Sequence, residues 1–141
     1  MVVLDTDHVS LLEWVTSAER DRLVGRLEQL PEDEIVTSIV TYEEQTRGWL
    51  AKVARARTLA EQVKAYEKLS NHLETYRNLT VVDFEEQAAI QFEALRRARV
   101  RIGTMDLKIA AIAIVRNATL LSRNLADFHK VPQLKVEDWT R

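Results

Sequence analysis

The residues best suited to chemistry in this chain are carboxylates that lie far apart in the sequence. They are Asp5, Glu43, Glu44, Asp106 and Asp127, with the neutral Asn124 close to the last of them. Each is predicted to lie where the chain passes from a strand to a helix, at the one edge of a parallel sheet where ligands bind. Convergent carboxylates suit Mg²⁺ or Mn²⁺, which bind through a few carboxylates, water and substrate phosphates. The pattern therefore predicts a divalent-metal pocket.

A simpler explanation stays open for each acid taken alone. Acids near helix N-termini interact favourably with the helix dipole by about 0.3–1 kcal/mol, and Asp5 or Asp7 could merely cap the following helix. Asp106 is harder to explain in this way, because the segment 107–115 is almost entirely apolar. A helix of that composition is mostly buried, so a carboxylate at its start needs a partner.

Apolar runs and helical periodicity predict the elements that position these residues. Strands are predicted at 2–4, 34–38, 79–82, 119–121 and 134–136. Helices are predicted from 38 or 41 to 55, 58 to 78, 84 to 100 and 105 to 117, after two short helices that present Val9, Leu12 and Val15, then Leu23, Leu27 and Leu30. Strands that alternate with helices predict an α/β fold with a parallel sheet. The helices at 59–78 and 84–100 are longer than a crossover needs and are expected to form an arm beside the sheet.

Composition limits the class of protein. The chain has 141 residues, 46% hydrophobic and 30% charged, with no cysteine. We expect one globular domain, residues 1–141, without a disulfide or a thiolate site. The net charge of −2 gives no bulk attraction to nucleic acid or membrane, so an anionic substrate needs a local basic patch or a metal. No apolar stretch reaches membrane-spanning length and no signal segment opens the chain, which predicts a soluble cytoplasmic protein.

Four ordered segments carry a resemblance to a known family. They read LDTD at 4–7, TYEEQTRG at 41–48, IGTMDLKIAA at 102–111 and LSRNLADF at 121–128, with VEDW at 136–139 near the end. In this order and at this spacing the chain resembles the PIN domain, and more narrowly the VapC-type toxin ribonucleases of type II toxin–antitoxin systems. The resemblance implies a three-layer α/β/α sandwich with a parallel central sheet. It also implies an Mg²⁺- or Mn²⁺-dependent endoribonuclease that a cognate antitoxin inhibits.

The resemblance assigns the first three site acids residue by residue. Asp5 matches the first family acid and Asp106 the third. Glu44 matches the second, because it stands four residues before Gly48, and Glu43 is then the weaker choice. With a fourth acid, these residues are expected to bind one or two metal ions that assist hydrolysis of an RNA phosphodiester bond.

The last segment leaves the fourth site residue open between Asn124 and Asp127. We expect Asp127 to supply the fourth carboxylate, because Asn124 cannot carry a charge and would act as a neutral ligand through water. Ser122 replaces the usual threonine of the family and keeps its hydroxyl group. His8 could shuttle a proton, but a helix-start hydrogen bond is the commoner role for such a histidine.

Two basic runs are candidates for contact with RNA phosphates. Arg96, Arg97, Arg99 and Arg101 lead into Asp106, and the last three are the main candidates, although a solvated helix face is the usual role of such a run. A second candidate set consists of Arg47, Lys52, Arg55 and Arg57. His72 and His129 are expected on the surface, Lys108 could reach a phosphate, and Trp14, Trp49 and Trp139 are expected to pack in the fold.

Two other functions remain open. The run 5–9 also matches the nucleophile loop of haloacid-dehalogenase-like phosphatases, with Thr37 or Ser38 as the residue after the second strand, although the late pair of acids of that family is missing. A PIN-like scaffold that only binds RNA or protein is the second alternative. For a toxin, we expect an antitoxin that lays an apolar segment between the helices of 41–78, and self-association as a homodimer or a higher oligomer.

Overall fold

The centre of the molecule is a parallel five-stranded sheet in the computed structural model, which describes residues 1–13 and 16–141. The strands are β1 (Val2–Leu4), β2 (Ile35–Ser38), β3 (Thr80–Val82), β4 (Thr119–Leu121) and β5 (Lys135–Glu137). Their order across the sheet is β3-β2-β1-β4-β5, and every neighbouring pair is parallel. The predicted parallel sheet is confirmed, and β1 at its centre places Asp5 in the middle of the carboxyl edge.

Helices connect the strands, and several begin at a side chain that caps them. They are α1 (Thr6–Glu13), α2 (Ala18–Leu27), α3 (Ile39–Arg55), α4 (Leu59–Arg77), α5 (Glu86–Arg97), α6 (Thr104–Val115) and α7 (Leu125–Phe128), with a short 3-10 helix at Glu32–Glu34. Ser17, Ser38 and Thr58 accept backbone N–H groups at the starts of α2, α3 and α4. The predicted positions of Trp14 and Val15 lie outside the described residues.

Three helices end differently from the prediction. The second short helix ends at Leu27, so Leu30 lies beyond it. α5 ends at Arg97 and not at residue 100, because Arg99 adopts a left-handed conformation with φ of 59°. Asn117 does the same after α6 with φ of 52°. A left-handed residue just past a helix end is a common stop signal.

The sheet has helices on both faces, and the alternation of side chains along β1 separates two cores. Val3 points into a core that includes Ala88 and Leu95 of α5 and most of α6. Val2 and Leu4 point into the other, which includes residues of α1 and α2 and Tyr76 of α4. The helices α4 and α5 therefore lie on opposite faces of the sheet. The prediction that they form one arm is wrong, because each has an apolar face of its own to bury.

The outer side of α4 is apolar and exposed. Relative exposure is 78% for Leu59, 58% for Val63, 56% for Tyr66 and 50% for Leu73. The long sequence of α4 thus carries two apolar faces, of which only the one that includes Tyr76 is buried in the sheet packing. Within the described ranges, no helix is both long enough and apolar enough to cross a membrane.

Candidate active site at the carboxyl edge of the sheet

Asp5 is a buried carboxylate at the end of the central strand. Its relative exposure is 6%. The hydroxyl of Ser122 donates to Oδ2 at 2.8 Å, and the backbone N–H of Thr6 donates to Oδ1 at 2.8 Å. Burial, followed by the negative charge of Asp7, raises the pKa of Asp5 to about 7, although the two hydrogen bonds oppose this shift. The charge of Asp106 contributes in the same direction as burial.

Asp106 lies in the first turn of α6 and belongs to the same electrostatic cluster. Burial raises its pKa first, and the charges of Glu44, Asp127 and Asp7 raise it further, in that order. Its route to the site differs from the prediction, because α6 follows α5 and not a strand. The C-terminus of α6 leads into the start of β4, so the N-terminus of α6, which carries Asp106, lies at the carboxyl edge of the sheet. The prediction of a largely covered helix is confirmed, since residues 107 and 109–113 are buried.

Glu44 and its neighbour Glu43 point in different directions from α3. The hydroxyl of Thr6 donates to Oε1 of Glu44 at 3.0 Å, which holds this carboxylate beside the end of β1. Glu43 is exposed and forms an ion pair with Arg47 one turn along the same helix. Neighbouring helical residues point about 100° apart. The structure thus brings Glu44 to the cluster and turns Glu43 towards solvent.

Asp127 and Asn124 lie together at the outer rim of the cluster. Nδ2 of Asn124 donates to Oδ2 of Asp127 at 3.0 Å, and Nζ of Lys130 donates to Oδ1 at 3.3 Å. These contacts, the one from Asn124 first, lower the pKa of Asp127. Asp127 is therefore more readily ionised than an ordinary aspartate, and Asn124 orients it. Asn124 immediately precedes α7 and Asp127 lies within it, so the start of this helix positions both side chains.

Asp7 is a member of the cluster that the sequence analysis did not include. Its Oδ2 accepts from the hydroxyl of Ser122 at 3.3 Å and from the backbone N–H of Arg123 at 2.9 Å. Its charge contributes to the raised pKa of both Asp5 and Asp106. The Asp-x-Asp spacing could have indicated that Asp7 lies beside Asp5. The sequence does not show, however, in which direction a side chain in the first turn of a helix points.

His8 is a structural residue in this fold. It is fully buried, with Nδ1 at 2.6 Å from Oδ1 of Asp7. Its Nε2 accepts the backbone N–H of Trp139 at 3.2 Å. Nδ1 is thus engaged within the first turn of α1, and Nε2 joins α1 to the C-terminal segment, which fits the helix-start role.

Other polar residues are placed differently from their predictions. His72 is buried and not on the surface, because it bonds Oγ1 of Thr46 at 2.7 Å and stacks on Tyr42. His129 is exposed, as predicted. Nζ of Lys108 lies 5.8 Å from the ring centres of Phe84 and Phe92, so its contacts are with the aromatic side chains before and within α5.

The donor set fits a hard divalent cation that keeps part of its water. The charged candidate ligands are all carboxylates, the ligands that Mg²⁺ prefers. Across residues 1–13 and 16–141, no three His, Cys, Asp or Glu side chains lie close enough to enclose an ion directly. Mg²⁺ usually binds through one or two carboxylates and several waters. A buried carboxylate such as Asp5, with a pKa raised to about 7, is a group whose negative charge a cation would stabilise.

The family of the chain follows from comparison with known sequences. The PIN domain profile matches residues 2–134, which is nearly the whole chain. The chain belongs to the PIN domain family. Among curated proteins, the ribonuclease VapC1 of Haemophilus influenzae (strain R2866) is 28% identical over 116 residues, covering 79% of this chain and 79% of that protein.

Solved structures agree with this PIN fold. VapBC2 from Rickettsia felis, bound to a DNA fragment from their promoter, superposes with a TM-score of 0.71 at 26% identity, covering 99% of each chain. FitAcB from Neisseria gonorrhoeae superposes with a TM-score of 0.74 at 22% identity, covering 99% of this chain and 98% of that one. The second likeness is one of fold alone. The predicted three-layer α/β/α sandwich is confirmed.

Thr37 and Ser38, the candidate residues of the phosphatase alternative on the second strand, are both engaged in holding this PIN fold together. The hydroxyl of Thr37 donates to the carbonyl of Leu4 at 2.8 Å between β2 and β1. The hydroxyl of Ser38 accepts the backbone N–H of Thr41 at 2.9 Å as the cap of α3. Both side chains are fully buried and serve the fold.

Proposed function

We propose that this protein is the toxin ribonuclease of a toxin–antitoxin pair and hydrolyses phosphodiester bonds of RNA with the help of Mg²⁺ or Mn²⁺. The observation that carries the proposal is the cluster of mutually repelling carboxylates on a PIN fold, in which burial and neighbouring charges raise the pKa of both Asp5 and Asp106. The similarity to the VapC1 ribonuclease supports RNA as the substrate. In this proposed function, residues 1–141 form a single PIN-like domain that acts in the cytoplasm.

Four acids are proposed to hold one or two metal ions, in part through bound water, and to be catalytic: Asp5, Glu44, Asp106 and Asp127. A divalent ion bound among them would activate water and stabilise the charge that develops on the phosphate. Asp5 would remain fixed by Ser122 and Thr6, and Glu44 by the hydroxyl of Thr6.

Each acid makes a distinct contribution in this arrangement. Burial raises the pKa of Asp5 to about 7, so Asp5 binds a proton more readily than an ordinary aspartate. A bound cation would displace that proton, because it stabilises the charged carboxylate. Asp127 has a lowered pKa and stays charged at the rim, where Lys130 and Asn124 orient it. Asn124 is the alternative fourth ligand, and it would act through water.

The test is cleavage of single-stranded RNA by purified variants at matched Mg²⁺. We expect Asp106→Asn to reduce the rate by at least about a hundredfold, since it removes a charged ligand with little change of shape. Asp33→Asn is the matched control, because Asp33 is exposed in the 3-10 helix that precedes β2, at the opposite edge of the sheet. Cleavage by Asp106→Asn at the control rate would contradict the site.

The two glutamates of α3 provide a second comparison in the same assay. Glu44→Gln should lower the rate far more than Glu43→Gln, because the hydroxyl of Thr6 holds Glu44 at the cluster while Glu43 pairs with Arg47 in solvent. The reverse order would show that Glu43 enters the site. Phosphomonoester turnover without RNA cleavage would favour the phosphatase alternative, and metal-independent RNA binding alone would favour the scaffold.

The proposed partner is an antitoxin that covers the apolar side of the α3–α4 pair. Tyr42, Tyr66, Leu69 and Leu73 line a cavity of about 380 Å³ there, beside the exposed Val63. An apolar segment of the antitoxin would fill this groove, and a basic residue of the antitoxin would reach the acids. The VapBC2 structure supports the partnership. We also propose self-association as a homodimer or a higher oligomer.

The arginine run before Asp106 remains a proposed contact for RNA. Arg97, Arg99 and Arg101 are exposed, and Arg97 also lies 3.8 Å from the carboxylate of Glu93. These residues lie between the end of α5 and the first turn of α6, on the chain that leads to Asp106.

A further inference from the structure

A cationic pocket lies where the C-terminal part of α3 meets the N-terminal part of α4. It has a volume of about 330 Å³, and its charged and aromatic lining consists of Trp49, Lys52, Arg55, Glu61, Lys64 and Lys68. Among these described residues, four are cationic and one is acidic, in a chain whose net charge is −2. The one acid, Glu61, already accepts the backbone N–H of Arg57 at 2.7 Å. The pocket is therefore a local positive site on a slightly negative protein. We call it the α3–α4 basic pocket.

A second cavity adjoins this pocket and extends along α3 towards Glu44. It has a volume of about 260 Å³ and is lined by Ser10, Gln45, Gly48, Trp49, Lys52 and Arg55, so the last three residues line both cavities. Gln45 follows Glu44 in the chain, and its Nε2 donates to the carbonyl of Thr6 at 3.3 Å. The hydroxyl of Thr6 in turn holds Glu44. The second cavity thus extends from the basic pocket to Gln45, which contacts the residue that holds Glu44.

The composition of the pocket matches surfaces that bind single-stranded nucleic acid. Nζ of Lys52 lies 4.6 Å from the ring centre of the half-buried Trp49. Proteins that hold single strands combine cations that follow the phosphates with aromatic rings that contact the bases. Lys52 stands eight residues after Glu44, which is about 12 Å along the axis of α3. A few nucleotides on one side of the cleaved bond would cover that distance.

The pocket and the proposed antitoxin groove use different sides of α4. Lys68 and Tyr66 are two residues apart, which places them about 160° apart around the helix. The apolar stripe that includes Val63 and Tyr66 therefore faces away from the cations. Charge complementarity favours a polyanion in the pocket over the apolar segment that would suit the groove.

We propose that the α3–α4 basic pocket binds the RNA substrate on one side of the cleavage point, with Lys52, Arg55 and Lys64 contacting phosphates and Trp49 contacting a base or ribose. This inference rests on the proposed ribonuclease function, which supplies the reason for an RNA strand to leave the acid cluster along α3.

The test measures the affinity of a fluorescein-labelled, short single-stranded RNA by anisotropy in EDTA, over a series of salt concentrations. The test variant is Lys52→Gln/Lys64→Gln. The matched control is Arg77→Gln/Lys135→Gln, which removes the same charge from exposed positions outside the pocket. We expect the test variant to bind roughly tenfold more weakly than the control, and its salt slope to fall by about 0.7 for each phosphate that the protein no longer neutralises. Equal affinity and equal salt slopes of the two double variants would overturn the proposal.

Cleavage by the wild-type protein with Mg²⁺ separates this inference from the function on which it rests. If the wild type cleaves RNA but the test variant behaves as the control, the pocket is wrong and the function stands. If the wild type does not cleave but the test variant loses RNA affinity, the pocket stands as an RNA site and the ribonuclease function falls. An active test variant should show a raised KM with little change in kcat, because its acids are intact.

An antitoxin titration excludes the other occupant. The same two double variants are titrated with the cognate antitoxin under identical conditions. A test variant that loses antitoxin affinity while it keeps RNA affinity would assign the pocket to the protein partner and overturn the proposal.

Discussion

At the scale of single residues, Asp5 shows how the fold produces an unusual acid. The chain places it directly after a buried strand, so its carboxylate loses water, and Asp7 adds a like charge two residues later. Burial is the larger cause of the raised pKa of Asp5, and repulsion by the neighbouring carboxylates is the smaller one. Hydrogen bonds from Ser122 and Thr6 hold the carboxylate of Asp5 in place and partly oppose the rise of its pKa.

The raised pKa of Asp5 predicts a pH-dependent loss of stability without metal. The folded value is about 7 and the ordinary value for an aspartate is 3.8, so between these limits the folded state binds more protons than the unfolded state. The contribution of Asp5 to stability is thus fully present below about pH 4 and is lost as the pH rises through about 7. Asp5→Asn removes this slope, because the amide stays neutral.

The measurement is the thermal midpoint of both proteins in EDTA, from about pH 5 to about pH 8. The midpoint of Asp5→Asn relative to wild type should rise across this range, by an amount on the order of 10 °C at most. Asp33→Asn serves as control and should show a flat difference, since its side chain is exposed. A constant difference for Asp5→Asn would mean that Asp5 is ionised throughout.

At the scale of elements, the sequence predicted which segments form strands and helices better than where the helices lie. An acid that directly follows a buried apolar strand lies at the carboxyl edge of a parallel sheet, where ligands bind in such folds. This rule places Asp5 from the sequence alone. Periodicity shows that α4 and α5 each have an apolar stripe, but it does not show on which side of the sheet each helix packs. The opposite placement of Tyr76 and Leu95 therefore emerged only from the packing.

Local sequence patterns were also insufficient to choose between candidate site residues. A helix pattern cannot separate Glu43 from Glu44, and the family resemblance indicated the residue that the hydroxyl of Thr6 contacts in the structure. Asp7 and the burial of His72 depend on contacts between distant segments, such as Asp7 with Arg123. No local pattern contains that information.

The exposed stripe of α4 predicts where the antitoxin binds. Tyr66→Ser/Leu73→Ser should weaken binding of the cognate antitoxin by at least about tenfold, because large apolar and aromatic side chains dominate such interfaces. The control is Ile90→Ser/Val115→Ser, which removes apolar side chains with exposures of 57% and 44% on α5 and α6. Affinities of purified components would be compared by calorimetry, and equal losses in the two variants would argue against the groove.

At the scale of the whole molecule, the sheet brings acids from several distant segments to one edge and leaves their repulsion partly unrelieved. Burial and neighbouring charges raise the pKa values of Asp5 and Asp106, so the cluster lowers the stability of the folded protein unless a cation occupies it. Two carboxylates about 5 Å apart at an effective dielectric near 20 repel by about 3 kcal/mol before screening. We therefore expect the stability of the fold to depend on divalent metal, independently of any substrate.

A four-way thermal melt tests whether the carboxylate cluster is a metal site. It compares wild type and Asp106→Asn, each in EDTA and in Mg²⁺ or Mn²⁺ at about pH 8. A raised pKa means that the ionised Asp106 destabilises the fold, so the variant should melt higher than wild type in EDTA. Metal should raise the wild-type midpoint and move the variant much less, because a ligand that binds only the folded state stabilises it. If the variant melts lower than wild type in EDTA and gains equally from metal, Asp106 is a structural residue and the carboxylate cluster is not a metal site.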